Sequence, residues 1–424
     1  MTGLAILFGY ILIFVMCFFL VKAVQKGRMG AKDYKALKTV TFGDESTVTP
    51  NRAASVFSLL AIFLIWGMFT GSKLVPIHVS GPFLGDARFT YTAEKASGER
   101  DEAEVTMTVH EQNDTVEPTA VEAGDGFAKN DIGKVQVWRS TLIQVQDNDL
   151  GGKEDGYKIV EINGKEVSAG DAVKSEFGRI SLTDKGTMFF EPKAGMQMQP
   201  LYLPSPEAVV SKFFDLSKNG YKNIPLFEHV WASLSRVLKG FIYGSIVGIP
   251  LGYAMGLSGW FRGWFDPIVE FMRPVPPLAL IPLVIIWFGI GEEGKVVLLF
   301  LAALWIMAIA ARAGVAGVNI TKIRAAYSLG ASKTQIMRHV IVPNSLPEIF
   351  TGARVAMGVC WGTVVAAELV AATKGVGMMI MNASKFSQTD IVIVGIILIG
   401  AIGFGIDVLM RIAEKKLVPW KGHS

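Results

Sequence analysis

The chain has 424 residues, 51% of them hydrophobic, and a formal net charge of +4. Several apolar runs reach the ~20 residues that a bilayer crossing takes, so the sequence indicates an integral membrane protein. Both cysteines, Cys17 and Cys360, lie inside such runs, which excludes a disulfide framework.

The charge is distributed unevenly along the chain. Residues 76–204 hold 22 acidic and 13 basic side chains, whereas the remainder holds 15 acidic and 28 basic ones. Basic loops are typical of the cytoplasmic side of membrane proteins, so the basic excess needs no nucleic acid to explain it. We therefore expect an acidic soluble block inserted into a basic membrane body.

Two apolar runs come first and define a predicted N-terminal region, residues 1–75. No basic segment precedes the run 4–21 and no small-residue cleavage site follows it, so we interpret it as a retained span. A cleaved secretory signal is the alternative. Residues 22–52 are polar and basic, which favours the cytoplasm, and a second span is predicted over 53–70.

Residues 76–202 are predicted to form an all-β, sandwich-like domain. Apolar and polar residues alternate, as in strands, at 88–93, 104–110, 134–138 and 187–192. Residues 148–192 resemble bacterial cadherin- and immunoglobulin-like repeats. A candidate Ca²⁺ site is formed by clustered carboxylates, the ligands that calcium prefers, and a solvated acidic loop is the alternative. These carboxylates belong to Asp147, Asp149 and Asp155.

Residues 203–424 are predicted to form a second, helical membrane domain. A short amphipathic helix over 207–218 precedes five spans, which are predicted at 232–257, 268–290, 296–314, 349–373 and 391–410. With the two N-terminal spans this makes seven. If the loop before the span 349–373 faces the cytoplasm, every cytoplasmic segment is basic or neutral and the acidic block lies outside, in agreement with the positive-inside rule.

That loop, residues 319–346, has a helix–turn–helix pattern. Ala325 and Ala326 are strong helix formers, Gly330 can adopt the left-handed conformation, and a second amphipathic run is expected to stop at Pro343. A short basic helix–turn–helix between two spans needs a partner on the water side of the membrane.

Small residues recur at four-residue intervals in the span 232–257. They are Gly240, Gly244, Gly248 and Gly252, followed by Gly256. Residues four apart lie on one helix face, and small residues there let two membrane helices approach closely. Tight structural packing is one interpretation, and a surface that slides during transport is the other.

Charged side chains within spans are costly and mark candidate sites. Glu368 and Arg273 are our candidates for a translocation pathway, although Glu368 could equally anchor a structural hydrogen bond. Arg354 precedes Glu368 by 14 residues, about 21 Å along a helix, so the two cannot pair. We expect Arg273 to pair with Glu270 and Arg411 to pair with Asp407 on their own helices.

The sequence holds no catalytic constellation. The Gly-x-x-x-x-Gly-Lys-Ser/Thr phosphate loop is absent, as is any Cys/His metal spacing. We therefore predict a chain that is not an enzyme and carries no cofactor apart from the possible Ca²⁺. ATP and Mg²⁺ would bind to a partner.

Five stretches of the sequence resemble a known family. They are EFMRPVPPLALIPL (270–283), IWFGIGE (286–292), AAYSLGAS (325–332), TVVAAELVAATKGVG (363–377) and LVPWKG (417–422). The chain over 203–422 is similar to permease subunits of binding-protein-dependent ABC importers, in the taurine, sulfonate and nitrate group. An extra N-terminal span and the β insert are not usual features of that group.

The resemblance implies an ABC type I importer fold, a permease homodimer, two ATPase subunits and a periplasmic solute-binding protein. It also implies that the 319–346 loop is the "EAA" loop, which docks on the ATPase. The implied docking residues are Arg324, Ala325, Ala326, Leu329, Gly330, Ala331, Ser332 and Pro343. The family has Glu where Arg324 stands in this sequence.

We accordingly predict a multi-pass bacterial inner-membrane protein with its insert in the periplasm. Its predicted function is ATP-driven import of taurine or a related small sulfonate. Import of another oxyanion or sulfonate, such as nitrate or an alkanesulfonate, is the first alternative. A membrane-anchored periplasmic scaffold is the second.

Overall fold

A computed structural model describes residues 2–26, 52–111, 114, 116–122, 124–150, 157–289 and 291–420. The chain divides into two compact units, Met1–Glu207 and Ala208–Ser424. The two predicted N-terminal helices and the predicted β domain fall together in the first unit, and the predicted membrane domain makes up the second.

The first unit begins with two apolar helices, α1 (Thr2–Lys26) and α2 (Arg52–Thr70). Helix α2 is long and apolar enough to cross a membrane, whereas the apolar stretch recorded in α1, Ile11–Ala23, is shorter than a span. The span expected over 4–21 is therefore helical, but its crossing of the membrane stays a prediction.

In the described part of the chain, nine strands follow α2 and form two sheets. The strands are β1 (Gly85–Glu94), β2 (Arg100–His110), β3 (Asp131–Gln136), β4 (Thr141–Ile143), β5 (Lys158–Ile162), β6 (Lys165–Glu166), β7 (Ala172–Lys174), β8 (Gly178–Leu182) and β9 (Met188–Pro192). One sheet has the order β3-β2-β1-β5-β6 and the other has the order β4-β9-β8-β7. The four segments predicted as strands overlap β1, β2, β3 and β9.

The two sheets share one apolar core. Alternate residues of β1 are buried, as expected for a strand with one face on a core, and Phe89 of β1 stacks on Phe190 of β9 with ring centroids 5.6 Å apart. Strand β2 pairs antiparallel with β1 but parallel with β3, so the first sheet is mixed. The finer immunoglobulin- or cadherin-like assignment stays a prediction.

The β insert caps the C-terminal end of α2. A helix leaves its last carbonyls without partners. Here the N–H of Val79 bonds the carbonyl of Met68 (3.3 Å), and the N–H of Met198 bonds that of Phe69 (2.8 Å). Both chain segments that connect the strands to the rest of the unit are therefore fastened to α2.

The second unit is helical in its described part. Its helices are α3 (Pro206–Asn219, which starts in the first unit), α4 (Leu226–Leu257), α5 (Gly259–Met272), α6 (Ile281–Phe288), α7 (Glu292–Ala316), α8 (Ile320–Ser328), α9 (Lys333–Ile336), α10 (Val342–Ala371), α11 (Val376–Lys385) and α12 (Thr389–Leu417). Across the described residues of both units, five helices can each cross a membrane, or six crossings exist if one bent pair counts as a span. The count of seven spans also requires α1 to cross, so it stays a prediction.

The bent pair corrects the bounds and the continuity of the span predicted over 268–290. Helices α5 and α6 belong to two segments, Gly259–Met272 and Pro277–Phe288, bent by 92° at the break. Pro274, Pro276 and Pro277 stand at the break, where proline removes the backbone N–H and disfavours helical geometry in the residue before it.

The glycine stripe packs α4 against α7. Gly244, Gly248 and Gly252 are buried, and a methyl group on Gly248 would lie 2.6 Å from the carbonyl oxygen of Leu304. Gly240 faces Leu299 in the same way. The two backbones thus approach closer than any larger residue would allow, as in other membrane helix pairs with small residues at their contact.

Pro343 does not end a helix, which corrects a second prediction. Residues Met337–Ile341 form a turn of π-helix, and α10 continues directly from it. Pro343 stands in the first turn of α10 and directly follows the π turn, in which the N–H of Val342 bonds the carbonyl of Met337 five residues earlier.

Candidate functional site

The 319–346 loop is built from two capped helices around a glycine turn. The side chain of Asn319 accepts a hydrogen bond from the N–H of Thr321 and caps α8. Gly330 has φ of 81°, a conformation that glycine adopts without strain. Ser332 and Gln335 then exchange side-chain hydrogen bonds in a capping box that starts α9.

The inner face of the loop is fixed to the membrane helices by apolar packing. Ile336 and Ile341 are buried against Val315 at the end of α7, and Ala326 and Ala331 pack on the same cluster. Side chains that interlock in this way hold the loop in one orientation relative to α7.

The outer face of the loop is exposed and partly apolar. The side chain of Leu329 is 87% exposed and that of Tyr327 is about half exposed, so both present apolar surface to solvent. The loop residues predicted to dock split into two groups. Exposed are Arg324, Ala325, Leu329, Gly330 and Ser332; half-buried are Ala326, Ala331 and Pro343.

The loop rejoins the helices through three consecutive residues, 343–345, which we call the junction. The carbonyl of Pro343 accepts a hydrogen bond from the indole N–H of Trp420 (3.2 Å). The side chain of Asn344 accepts one from Lys322 of α8 (2.8 Å). Ser345 and Tyr253 of α4 share a hydroxyl–hydroxyl bond of 2.5 Å.

The junction therefore ties α10 to α8, to α4 and to the segment that follows α12. None of these partners was predicted from the sequence. Polar side chains separated by 22 to 92 residues carry no local signal of their pairing.

Glu368 lies at the other end of α10, in a buried ion pair. Its carboxylate is 2.5 Å from the guanidinium of Arg236, and it also accepts hydrogen bonds from Ser233 Oγ (2.9 Å) and the N–H of Gly377 (3.0 Å). Arg236 bonds Glu292 as well, through Nε (2.5 Å) and Nη2 (2.7 Å).

This cluster joins α4, α7, α10 and α11, and it satisfies the charge of Glu368 within the chain. A buried carboxylate needs such a partner because an unpaired charge in an apolar medium is strongly disfavoured. A more exposed ion pair lies beside this cluster: Lys374 is 2.7 Å from Glu228, and both side chains are about half exposed. Arg236 was not predicted as a site residue, because it stands near the start of a long apolar helix with no local signal of its partners.

Arg273 is not part of this cluster. Its side chain is two-thirds exposed at the end of α5 and lies 3.7 Å from Glu270, the partner expected from the sequence. Glu270 also accepts a hydrogen bond from Arg312 of α7 (2.8 Å). The expected pair of Asp407 with Arg411 is present at 2.7 Å.

Arg354 links α10 to α12. Its guanidinium lies 3.2 Å from Asp407 and 3.6 Å from Glu414, so its partners lie on another helix and not on its own.

In the β insert, the carboxylates predicted to bind Ca²⁺ have separate environments. Asp149 accepts hydrogen bonds from the hydroxyls of Tyr91 and Tyr157 and from the N–H of Lys129 (2.5 Å). Asp147 is exposed, and Asp155 lies outside the described residues. Within the described ranges, no three side chains of His, Cys, Asp or Glu are gathered as metal ligands.

A buried acid neighbours Asp149. Burial raises the pKa of Asp131 to about 7, and the nearby Asp149 carboxylate adds to the rise. The hydroxyl of Tyr91 lies 3.4 Å from Asp131 and 3.1 Å from Asp149.

Residues 244–419 match the family model described as "Binding-protein-dependent transport system inner membrane component". The taurine transport system permease protein TauC of Escherichia coli K12 is 46% identical over 227 residues, which cover 53% of this chain and 82% of that protein. The putative aliphatic sulfonates transport permease protein SsuC of the same organism is 41% identical over 218 residues, covering 51% and 81%.

More distant matches have the same kind of name. The nitrate import permease protein NrtB of Synechocystis is 32% identical over 225 residues, covering 51% of this chain and 81% of that protein. Among solved structures, an inward-facing MetNI methionine ABC transporter chain is 21% identical, with a TM-score of 0.38 and coverage of 44% and 94%.

Proposed function

Since this chain belongs to the family of binding-protein-dependent transport system inner membrane components, we propose that it is the permease of an importer for taurine or a related small sulfonate. The 46% identity with a taurine permease over 227 residues is the observation that carries the choice of cargo. The aliphatic sulfonate permease at 41% supports the wider class of sulfonates.

An ATPase supplies the energy in this proposal, and it docks on the 319–346 loop. The sequence lacks a phosphate loop, so ATP must act through a partner. The protruding side chains of Leu329 and Tyr327 are apolar anchors of the kind that fill a pocket on a partner surface. Basic Arg324 stands on the same exposed helix.

Movement of the docked ATPase would reach the spans through the junction. The inner face of the loop is packed on α7, and the junction bonds α10 to α4 and α8, so displacement of the loop displaces these helices together. Helix α10 has 30 residues and is about 45 Å long. We infer an alternating-access cycle in which two such permeases rock about a shared pathway.

Selection of the cargo is assigned here chiefly to a solute-binding protein on the outer side. The carboxylate of Glu368, our candidate for contact with the cargo's ammonium group, is already paired with Arg236. The acidic insert, which we expect outside from the uneven charge of the chain, is a candidate platform for that binding protein. Nitrate is a second cargo candidate, favoured by the 32% identity with a nitrate permease.

Transport by the reconstituted complex tests the proposal. Proteoliposomes that contain this chain and its ATPase, with the binding protein outside, should accumulate labelled taurine only when ATP is supplied inside. Unlabelled alkanesulfonate and nitrate, added as competitors, rank the alternative cargoes. Taurine flux without the ATPase, or ATP-driven flux of nitrate but not of taurine, would contradict the proposed function.

The loop is tested by the variant Leu329→Ser. It should abolish stimulation of the ATPase by the binding protein and leave the thermal stability of the permease unchanged, since Leu329 has almost no contacts to lose. Leu150→Ser, at a similarly exposed leucine in the β insert, is the matched control in a second readout that needs no binding protein: it should leave co-purification of the ATPase with the permease unchanged, whereas Leu329→Ser should weaken it.

A further inference from the structure

Helix α10 contains a proline that leaves one carbonyl of the junction without its helical donor. In an α-helix the N–H of each residue bonds the carbonyl four residues earlier. Residue 347 is a proline inside α10 and has no N–H, so it cannot bond the carbonyl of Pro343. An unpaired carbonyl in a partly buried position is unfavourable.

The indole of Trp420 supplies the missing donor. Its Nε1 lies 3.2 Å from the carbonyl oxygen of Pro343, within normal hydrogen-bond range, and the indole N–H can only donate. The contact joins residues 77 positions apart in the sequence.

The segment that carries Trp420 is itself held in place. Val418 is buried, and its N–H bonds the carbonyl of Glu414 at 2.8 Å, which closes the C-terminal end of α12. Arg354 of α10 also pairs with Asp407 and Glu414 of α12, so the two helices are joined before the chain reaches Trp420. Trp420 therefore meets Pro343 from a fixed position.

The bond falls at the point where the loop joins its helices. The neighbours of Pro343 in the junction, Asn344 and Ser345, fix the loop helix α8 and the span α4 respectively. Besides α10, α8 and α4, residues 417–420 are the fourth segment of the chain that contacts the junction.

We propose that Trp420 is a positioning residue of the 319–346 loop. Residues 417–420 form a strap that replaces the hydrogen bond removed by Pro347 and holds the loop in the orientation that the ATPase engages. The strap rests on the proposed function only in its last step, since the orientation of the loop can be measured without any partner.

A double-mutant cycle between Trp420 and Pro347 tests the strap. Trp420→Phe keeps an aromatic ring but removes the N–H, and it should reduce the hydrogen-exchange protection of the loop amides about three- to tenfold, as expected for one lost hydrogen bond. Pro347→Ala restores the helical N–H. In that background, Trp420→Phe should change the protection by less than about twofold, because the carbonyl of Pro343 no longer needs the indole.

Trp361→Phe is the matched control. It removes an indole N–H that bonds the carbonyl of Ile399 at 3.1 Å, but Ile399 lies inside α12, where the helix provides its own donor. It should leave exchange in the loop unchanged. An equal effect of Trp420→Phe in the two Pro347 backgrounds, or no effect in either, overturns the strap.

The same variants in the complete transporter separate the two proposals. Trp420→Phe should lower the ratio of taurine transported to ATP hydrolysed, and Pro347→Ala should make that ratio insensitive to Trp420→Phe. A wild-type chain that couples to no ATPase rejects the proposed function. If the wild-type chain couples normally but Trp420→Phe changes neither the hydrogen exchange of the loop nor the transport ratio, only the strap is rejected.

Discussion

Arg236 is the residue that holds the buried charge cluster of the helical unit together. It contacts carboxylates from two other helices, Glu292 of α7 and Glu368 of α10, and it also bonds the carbonyl of Lys374 at 2.8 Å. One guanidinium has five N–H donors in a planar fork, which is why a single arginine can serve three acceptors. Lysine could not replace it.

Loss of Arg236 should be far more harmful than loss of a half-exposed cation beside it. Arg236→Met strands the Glu368 carboxylate in an apolar environment, and we expect a cost of about 3–5 kcal/mol, measured as a fall in Tm of the purified permease. Adding Glu368→Leu should recover most of this loss, because no buried charge then remains unpaired. Lys374→Met, which breaks the half-exposed pair with Glu228, should cost no more than about 1 kcal/mol. A double variant that is less stable than Arg236→Met would contradict the ion-pair interpretation.

Asp131 makes the stability of the β insert depend on pH. The ordinary pKa of an aspartate is 3.8, and burial together with Asp149 raises that of Asp131 to about 7. The folded insert therefore binds this proton more tightly than the unfolded chain does. The stabilisation is complete below about pH 4 and is lost as the pH rises through about 7.

Asp131→Asn should remove that dependence, because the amide resembles the neutral acid. We expect the variant insert to be more stable than the wild type at pH 8 and similar to it at pH 4. Protection of the β1 and β2 amides, corrected for intrinsic exchange rates, measures the difference. Asp184→Asn, at an exposed position, is the control. A wild-type insert whose stability rises between pH 4 and 8 would be opposite to this expectation.

At the scale of elements, apolar periodicity located the helices but could not determine their continuity. The spans predicted at 296–314 and 391–410 lie inside α7 and α12. The run 268–290 is also apolar enough to be predicted as a span, yet it is broken by 92° at its prolines. Hydropathy indicates whether a segment is apolar enough for the membrane. Whether the segment is one continuous helix depends on its prolines, which have no backbone N–H to donate.

At Pro343 and Pro347, by contrast, the helix is more continuous than the prolines alone would predict. Pro343 was expected to stop the run that precedes it, whereas a π turn before Pro343 and the indole of Trp420 near Pro347 let the helix continue. Neither compensation has a local sequence signal. The local chemistry of the loop was more predictable, since the left-handed Gly330 follows from residue type and near neighbours alone. The partners of Glu368 could not be predicted because they come from distant helices.

At the scale of the whole molecule, the number of crossings between the insert and the loop decides their sides of the membrane. Three candidate crossings separate them: α4, the bent pair and α7. If the bent pair traverses the membrane, the insert and the loop face opposite sides. If its two halves instead enter and leave on one side, the insert and the loop share a side, which the acidic excess of one and the basic character of the other oppose.

Single cysteines at two exposed leucines can distinguish these arrangements. We expect Leu150→Cys to react with a membrane-impermeant maleimide in intact right-side-out vesicles, and Leu329→Cys to react only after permeabilisation. The host chain should have Cys17 and Cys360 replaced by Ala, although Cys360 is already buried. Labelling of both positions in denaturant controls for their reactivity. Labelling of both positions in intact vesicles would mean that the bent pair does not cross and that the loop lies outside the cell together with the insert. An ATPase in the cytoplasm could not reach a loop on that side.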